Sequence, residues 1–171
     1  MNTKTLIQAA LATVFCAASL SSMAGTTSTN VGVTTTVIAN CTVTSSPIAF
    51  GNYDSLSATA TTATGSVALT CSQGTAPSVA VGDGANASGV QRRMTDGTNF
   101  LPYSVFRPVS TAAAATCAGA VTDYPNTTPG LALPAAPSTA ARTFNLCGSI
   151  AAGVSVPVGA YTDTVLATIT F

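Results

Sequence analysis

The sequence contains no histidine, no tryptophan and no glutamate, and only 6% of its residues are charged. Without histidine there is no Ser-His-Asp triad, no Cys-His nucleophile pair and no histidine-rich metal site. The five aspartates, Asp54, Asp83, Asp96, Asp123 and Asp163, are scattered, each near a turn or a strand start. Solvated turn carboxylates are the favoured reading of them over a catalytic pair. Asp163 differs, because it falls among apolar positions and needs a partner if it is buried. Gly82-Asp83-Gly84 lacks the strand-then-helix setting of a phosphate loop. Arg92-Arg93 is an anion-site candidate, with two exposed arginines beside a turn as the commoner outcome. No metal ligand set, cofactor or catalytic residue is expected, and an exported enzyme is the least favoured class.

What is present points to export. Lys4 precedes an apolar run from Leu6 to Leu20, and Ser22-Met23-Ala24 follows with small residues at its ends. Charged, apolar and small-residue regions in that order make a signal peptide over residues 1–24. The run is about 15 residues, short of the roughly 20 a membrane span requires. A lipid anchor at Cys16 is disfavoured, because Phe15 stands where a small residue is needed. No other stretch is long and apolar enough to span a bilayer. The remaining chain, Gly25–Phe171, holds four arginines against five aspartates, a net charge of −1. That excludes an electrostatic footprint for nucleic acid or an acidic membrane. One domain of this size buries about 70% of its unfolded surface.

Beyond the leader, Cys41, Cys71, Cys117 and Cys147 remain, an even count that in an exported chain reads as a disulfide framework. Three pairings are open. Cys41–Cys71 with Cys117–Cys147 is preferred, because sequential pairs staple neighbouring strands. The spacing fits no zinc site.

Threonine, valine, alanine, serine and glycine dominate, and the β-branched residues favour pleated strands. Val31, Val33, Thr35, Val37 and Ala39 alternate with mostly polar neighbours, predicting a long first strand over about 31–43. Further strands are expected at Ile48–Tyr53, Gly65–Cys71, Val79–Val81, Arg92–Thr95, Phe100–Phe106 and Phe144–Ile150. Residues 55–64 read as a loop. Residues 108–141, rich in alanine and proline, read as a long irregular excursion tied down by Cys117. Tyr161 to Phe171 alternates cleanly, with Tyr161, Asp163, Val165, Ala167, Ile169 and Phe171 on one face. Short strands, frequent turns and no helical period predict an all-β sandwich or barrel.

The order of several motifs resembles the spore coat protein U domain, the family of Csu-type pilins from archaic chaperone–usher pili. Cys41-Thr42-Val43 closes the long first strand, and Phe50-Gly51-Asn52-Tyr53 follows. Gly65 to Cys71, Arg93-Met94 and Leu101 to Phe106 come next, and the ending from Pro157 to Phe171 carries the strongest similarity. Residues 107–147, with Cys117 and Cys147, depart from the pattern. The resemblance implies an incomplete immunoglobulin-like sandwich, residues 41–171, that a donor strand completes by β-strand addition. Residues 25–40 would be the donor segment, offering Val31, Val33, Thr35, Val37 and Ala39. Tyr161, Val165, Ala167, Ile169 and Phe171 would border the acceptor groove. The implied partners are a periplasmic chaperone, an outer-membrane usher and neighbouring subunits. The implied location is the periplasm and then the cell surface, where the fibre supports adhesion and biofilm formation. A tip adhesin or coat protein that binds a surface or glycan is the alternative. A tip subunit usually carries a second domain, for which this chain has no room.

Overall fold

The computed structural model describes residues 24–171, so the expected signal peptide lies, apart from Ala24, outside the described residues. The described chain is all-β with no helix, and its compact body begins at Thr36. Ten strands form it: β1 (Cys41–Ser46), β2 (Thr61–Cys71), β3 (Ser78–Val81), β4 (Arg93–Thr95), β5 (Phe100–Pro102), β6 (Ser104–Arg107), β7 (Thr122–Asp123), β8 (Leu131–Ala132), β9 (Arg142–Ile150) and β10 (Ala167–Thr170). One sheet has the order β1-β2-β9-β6-β7, a second β10-β3-β8, and β4-β5 makes a ribbon. Every ladder is antiparallel.

The core lies between the two main sheets. Val67 and Leu69 of β2, Phe144 and Leu146 of β9 and Val105 of β6 meet Val79 and Val81 of β3. Strict alternation along β2, with every second residue buried from Gly65 to Cys71, fixes its register against both neighbours. The disulfides join Cys41 to Cys71 across the β1–β2 ladder, and Cys117 to Cys147 on β9.

Four sequence expectations change. The long first strand is a strand only from Cys41, and residues 31–40 have no ladder partner. Residues 61–64, expected as loop, extend β2, because they pair with Cys147 to Ile150 of β9. The Phe100–Phe106 strand breaks at Tyr103 into β5 and β6, which belong to different sheets. Ile48–Tyr53 is not a strand. Ile48, Phe50 and Tyr53 are half-buried, but the backbone pairs with no neighbour. It packs instead where two glycines leave room. A Cβ on Gly65 would stand 2.6 Å from Ile48 Cγ1 and 2.9 Å from the Ile48 nitrogen, and one on Gly148 would collide with Ile48 and Phe50.

The 108–141 stretch is part of the core. Tyr124, Leu133 and Ala136 are buried, and β7 and β8 each extend one main sheet. The Tyr124 amide donates to Val105 O at 2.8 Å and that of Ala136 to Thr75 O at 2.8 Å. Alanine and proline concealed this, since the anchoring residues are three among many small ones.

The turn joining β4 to β5 is held by Asp96. Its Oδ1 accepts from the amides of Thr98 (2.8 Å) and Asn99 (2.7 Å), and its Oδ2 from Asn99 Nδ2 (3.0 Å). These bonds, Asn99's side chain foremost, pull its pKa from the ordinary 3.8 to about 2. Because the folded value lies below the unfolded one, the carboxylate's contribution is complete above about 3.8 and is lost as pH falls through about 2. An NMR titration is expected to place the Asp96 midpoint near 2, with the Thr98 and Asn99 amides shifting at the same pH.

Candidate functional site: an open groove between two sheet edges

Strands β1 and β10 are the terminal members of their sheets. Each has a partner on one side only, and no strand joins them. β1 pairs with β2, so Val43 lies opposite Leu69 and Ser45 opposite Val67. Both partners are fully buried, which places Val43 and Ser45 on the inner face too. Val43 is nevertheless 46% exposed. An inward-facing valine left half uncovered marks a gap in the sandwich.

The other wall is the C-terminal segment. Its outer edge is satisfied in steps. Thr162 exchanges backbone hydrogen bonds with Thr95 (2.9 and 3.0 Å), Thr164 O accepts from Ala85 N (3.0 Å) and Leu166 O from Gly82 N (2.9 Å). Backbone groups alternate sides along an extended chain, so those of Asp163 and Val165 turn toward the gap. Only Ala167–Thr170 forms a regular ladder, with β3.

Between these walls runs a groove of about 590 Å³. Its floor is apolar, with Val67, Val81, Val105 and Leu146 from the core and Ile48 and Phe50 from the crossing segment. Phe50 and Tyr103 meet edge to face at 6.1 Å between centroids. One polar pair interrupts the floor. Tyr103 OH donates to Asp163 Oδ2 at 2.7 Å, while Asn86 donates to Asp163 Oδ1 through its amide (3.2 Å) and its Nδ2 (3.0 Å). Burial first, and the Asp163 carboxylate second, push the Tyr103 phenol far above its ordinary value, so it remains a donor at any physiological pH. Asp163 thus has the structural hydrogen bonds that its place on an apolar face requires.

Of the residues that the resemblance assigns to the groove, Tyr161, Val165 and Ala167 line it. Ile169 pairs with Val79 and packs on the core, and Phe171, 54% exposed, lies beyond the lining. Sequence reasoning missed the opposite wall and the floor. Val43 carried a signal as the end of the first strand's alternation and Ile48 as an apolar residue of an expected strand, but Tyr103 and Leu146 carried none that separates groove from core. On the donor side, Val31, Val33 and Val37 are 81%, 91% and 85% exposed, and Thr35 and Ala39 are exposed as well. All five lie in chain without strand structure.

The arginine pair is no anion site. Arg92, 5% exposed, points its guanidinium at Val81 O, Gly82 O (2.9 Å) and Tyr124 O (3.4 Å). Arg93 stacks over Phe100 at 4.1 Å and donates to Asn86 O at 3.0 Å. No group of three or more metal-ligating side chains occurs among the described residues.

The family model of the Spore Coat Protein U domain matches residues 27–168. Among solved structures, the fold is similar to a chain in the crystal structure of the CsuC-CsuE chaperone-tip adhesion subunit pre-assembly complex from archaic chaperone-usher Csu pili of Acinetobacter baumannii. The TM-score is 0.55 at 21% identity, over 80% of this chain and 40% of that one. The chain therefore spans less than half the length of that relative. No curated protein matches.

Proposed function

The chain belongs to the Spore Coat Protein U domain family, and on that premise we propose that it is a structural subunit of a surface pilus assembled by the chaperone–usher pathway. The observation that carries this reading is the groove, an apolar trench with an unpaired edge on each side. Such a trench is unstable in water, because half-covered valines and free backbone groups favour a guest strand. An inserted strand gains ladder hydrogen bonds from both walls, and its alternate side chains fill the floor. In the periplasm a chaperone supplies that strand. At the outer-membrane usher, residues 25–39 of a neighbouring subunit replace it. The fibre so formed supports adhesion and biofilm growth. The role is mechanical, and no catalytic step is assigned to it.

Deleting residues 25–39 tests the reading in cells that carry the matching chaperone and usher. The first strand begins at Cys41, and residues 36–39 are exposed and without strand structure, so the truncated chain is expected to fold, keep both disulfides and still co-purify with the chaperone. Surface fibres, counted by electron microscopy, are expected to disappear. Fibres of normal number and length from the truncated chain would sink the proposal.

A further inference from the structure

A strand that presents one face to a trench has a weakness in its register. A slip of one residue turns every side chain to the wrong face, but a slip of two restores the pattern. A uniform series of valines would therefore insert in several registers of similar energy. The series Val31, Val33, Thr35, Val37 and Ala39 is not uniform. It carries one hydroxyl, at its centre, and the centre is the same whichever way the segment runs.

The groove is also non-uniform. Its inward-facing polar positions are Ser45, Tyr103, Tyr161 and Asp163; the Tyr161 hydroxyl is already committed, donating to Pro157 O at 2.9 Å, and the core residues of the floor are apolar. The Asp163 carboxylate receives three hydrogen bonds. A carboxylate has about four acceptor sites, so it can take one more donor. The Tyr103 oxygen, donating its own proton, can still accept.

Resting on the donor-segment reading above, we propose that Thr35 of a second copy of this chain places its hydroxyl on the Tyr103–Asp163 pair and so fixes the register of the inserted segment. In that register the four apolar residues take the apolar floor. A two-residue slip sets Val33 or Val37 against the carboxylate and buries the threonine hydroxyl among valines, leaving both polar groups without partners. One misplaced polar residue fixes alignment in coiled coils by the same logic. At about 3.4 Å per residue, 31–39 extends about 27 Å; the lining from Tyr161 to Ala167 spans about 20 Å, and the free edge of β10 carries the wall on to Thr170, about 31 Å in all, so the segment lies along the lining and the β10 edge together.

The donor is assigned to another copy because this chain's own Asn40 is tied to the far side of β1. Asn40 O accepts from Ser72 N at 2.8 Å, which continues the β1–β2 ladder one residue before the Cys41–Cys71 disulfide. Returning into its own groove would need a reversal of at least two residues immediately before Cys41.

The test uses fibres of the full chain with a photoreactive side chain at Thr36, which faces away from the floor. Cross-links are mapped by mass spectrometry. With Thr35 present they are expected at one site on the groove walls. Thr35→Val, which keeps the shape and removes the hydroxyl, is expected to add a second site two residues along, as the register preference falls about tenfold. Thr35→Ser is expected to restore the single site. A single unchanged site in Thr35→Val overturns the register role while leaving strand donation intact. Cross-links wholly outside the groove overturn strand donation itself.

Discussion

Arg92→Ala is expected to bring the domain close to unfolding, with a loss of about 3–5 kcal/mol from a total of about 5–15 kcal/mol. The guanidinium joins three carbonyls from two parts of the chain: the consecutive Val81 and Gly82 at the end of β3, and Tyr124 in the long connection between β6 and β9. Its own backbone carbonyl accepts from Tyr103 N at 3.0 Å. All three side-chain acceptors belong to the backbone, so no second substitution can remove them once the arginine is gone. Losing the donor leaves them under-bonded in a low-dielectric site. That separates Arg92 from a buried ion pair, which an apolar pair of equal volume can replace at little cost. Arg92→Lys keeps the charge but offers one compact ammonium in place of a planar fork, and is expected to recover less than half of the loss. Urea unfolding followed by circular dichroism gives both values. A midpoint unchanged by Arg92→Ala would show that water replaces the guanidinium freely.

Arg92 also shows what a sequence conceals. Nothing in Gln91-Arg92-Arg93 marks the middle residue as buried. The arginines differ because Arg92 meets the carbonyls of Val81, Gly82 and Tyr124 while Arg93 meets Phe100 and Asn86, partners that only the fold assembles. The C-terminal wall was legible for the converse reason. Tyr161, Asp163, Val165 and Ala167 alternate with exposed neighbours, and period two is a local property of extended chain. The expected strand at Ile48–Tyr53 failed because half-burial of Ile48 and Phe50 is something a segment lying across a sheet face shares with a strand in a ladder. Whether the backbone pairs was decided elsewhere, at Gly65 and Gly148, by the absence of side chains. For the residues 31–40, alternation is present but no strand forms, because period two records a capacity for pairing and says nothing of whether a partner edge is at hand.

Replacing both Cys41 and Cys71 by serine is expected to damage the groove more than replacing Cys117 and Cys147, although the two disulfides close loops of equal length. Each spans a separation of 30 residues, so loop entropy assigns either one roughly 3–4 kcal/mol. The difference lies in what else holds the chain at each end. Around Cys117, the connection is anchored by buried Tyr124, Leu133 and Ala136, by the Tyr124 amide on Val105 O and by the Ala136 amide on Thr75 O. Around Cys41, β1 has one ladder, to β2, and its inner Val43 is half uncovered. Little apolar area therefore opposes peeling, and the disulfide clamps the strand at its first residue. Both double variants are expected to lower the urea midpoint by similar amounts. Hydrogen exchange should separate them. Amides of residues 41–46 are expected to exchange at least about tenfold faster without Cys41–Cys71, from local opening well below the global free energy, and to stay protected without Cys117–Cys147. A frayed β1 removes one wall of the groove, so the donor-strand uptake proposed above is expected to fail in the first variant at temperatures where the rest of the domain remains folded. Equal protection of β1 in both variants would mean that the β1–β2 ladder alone holds the groove open to its guest.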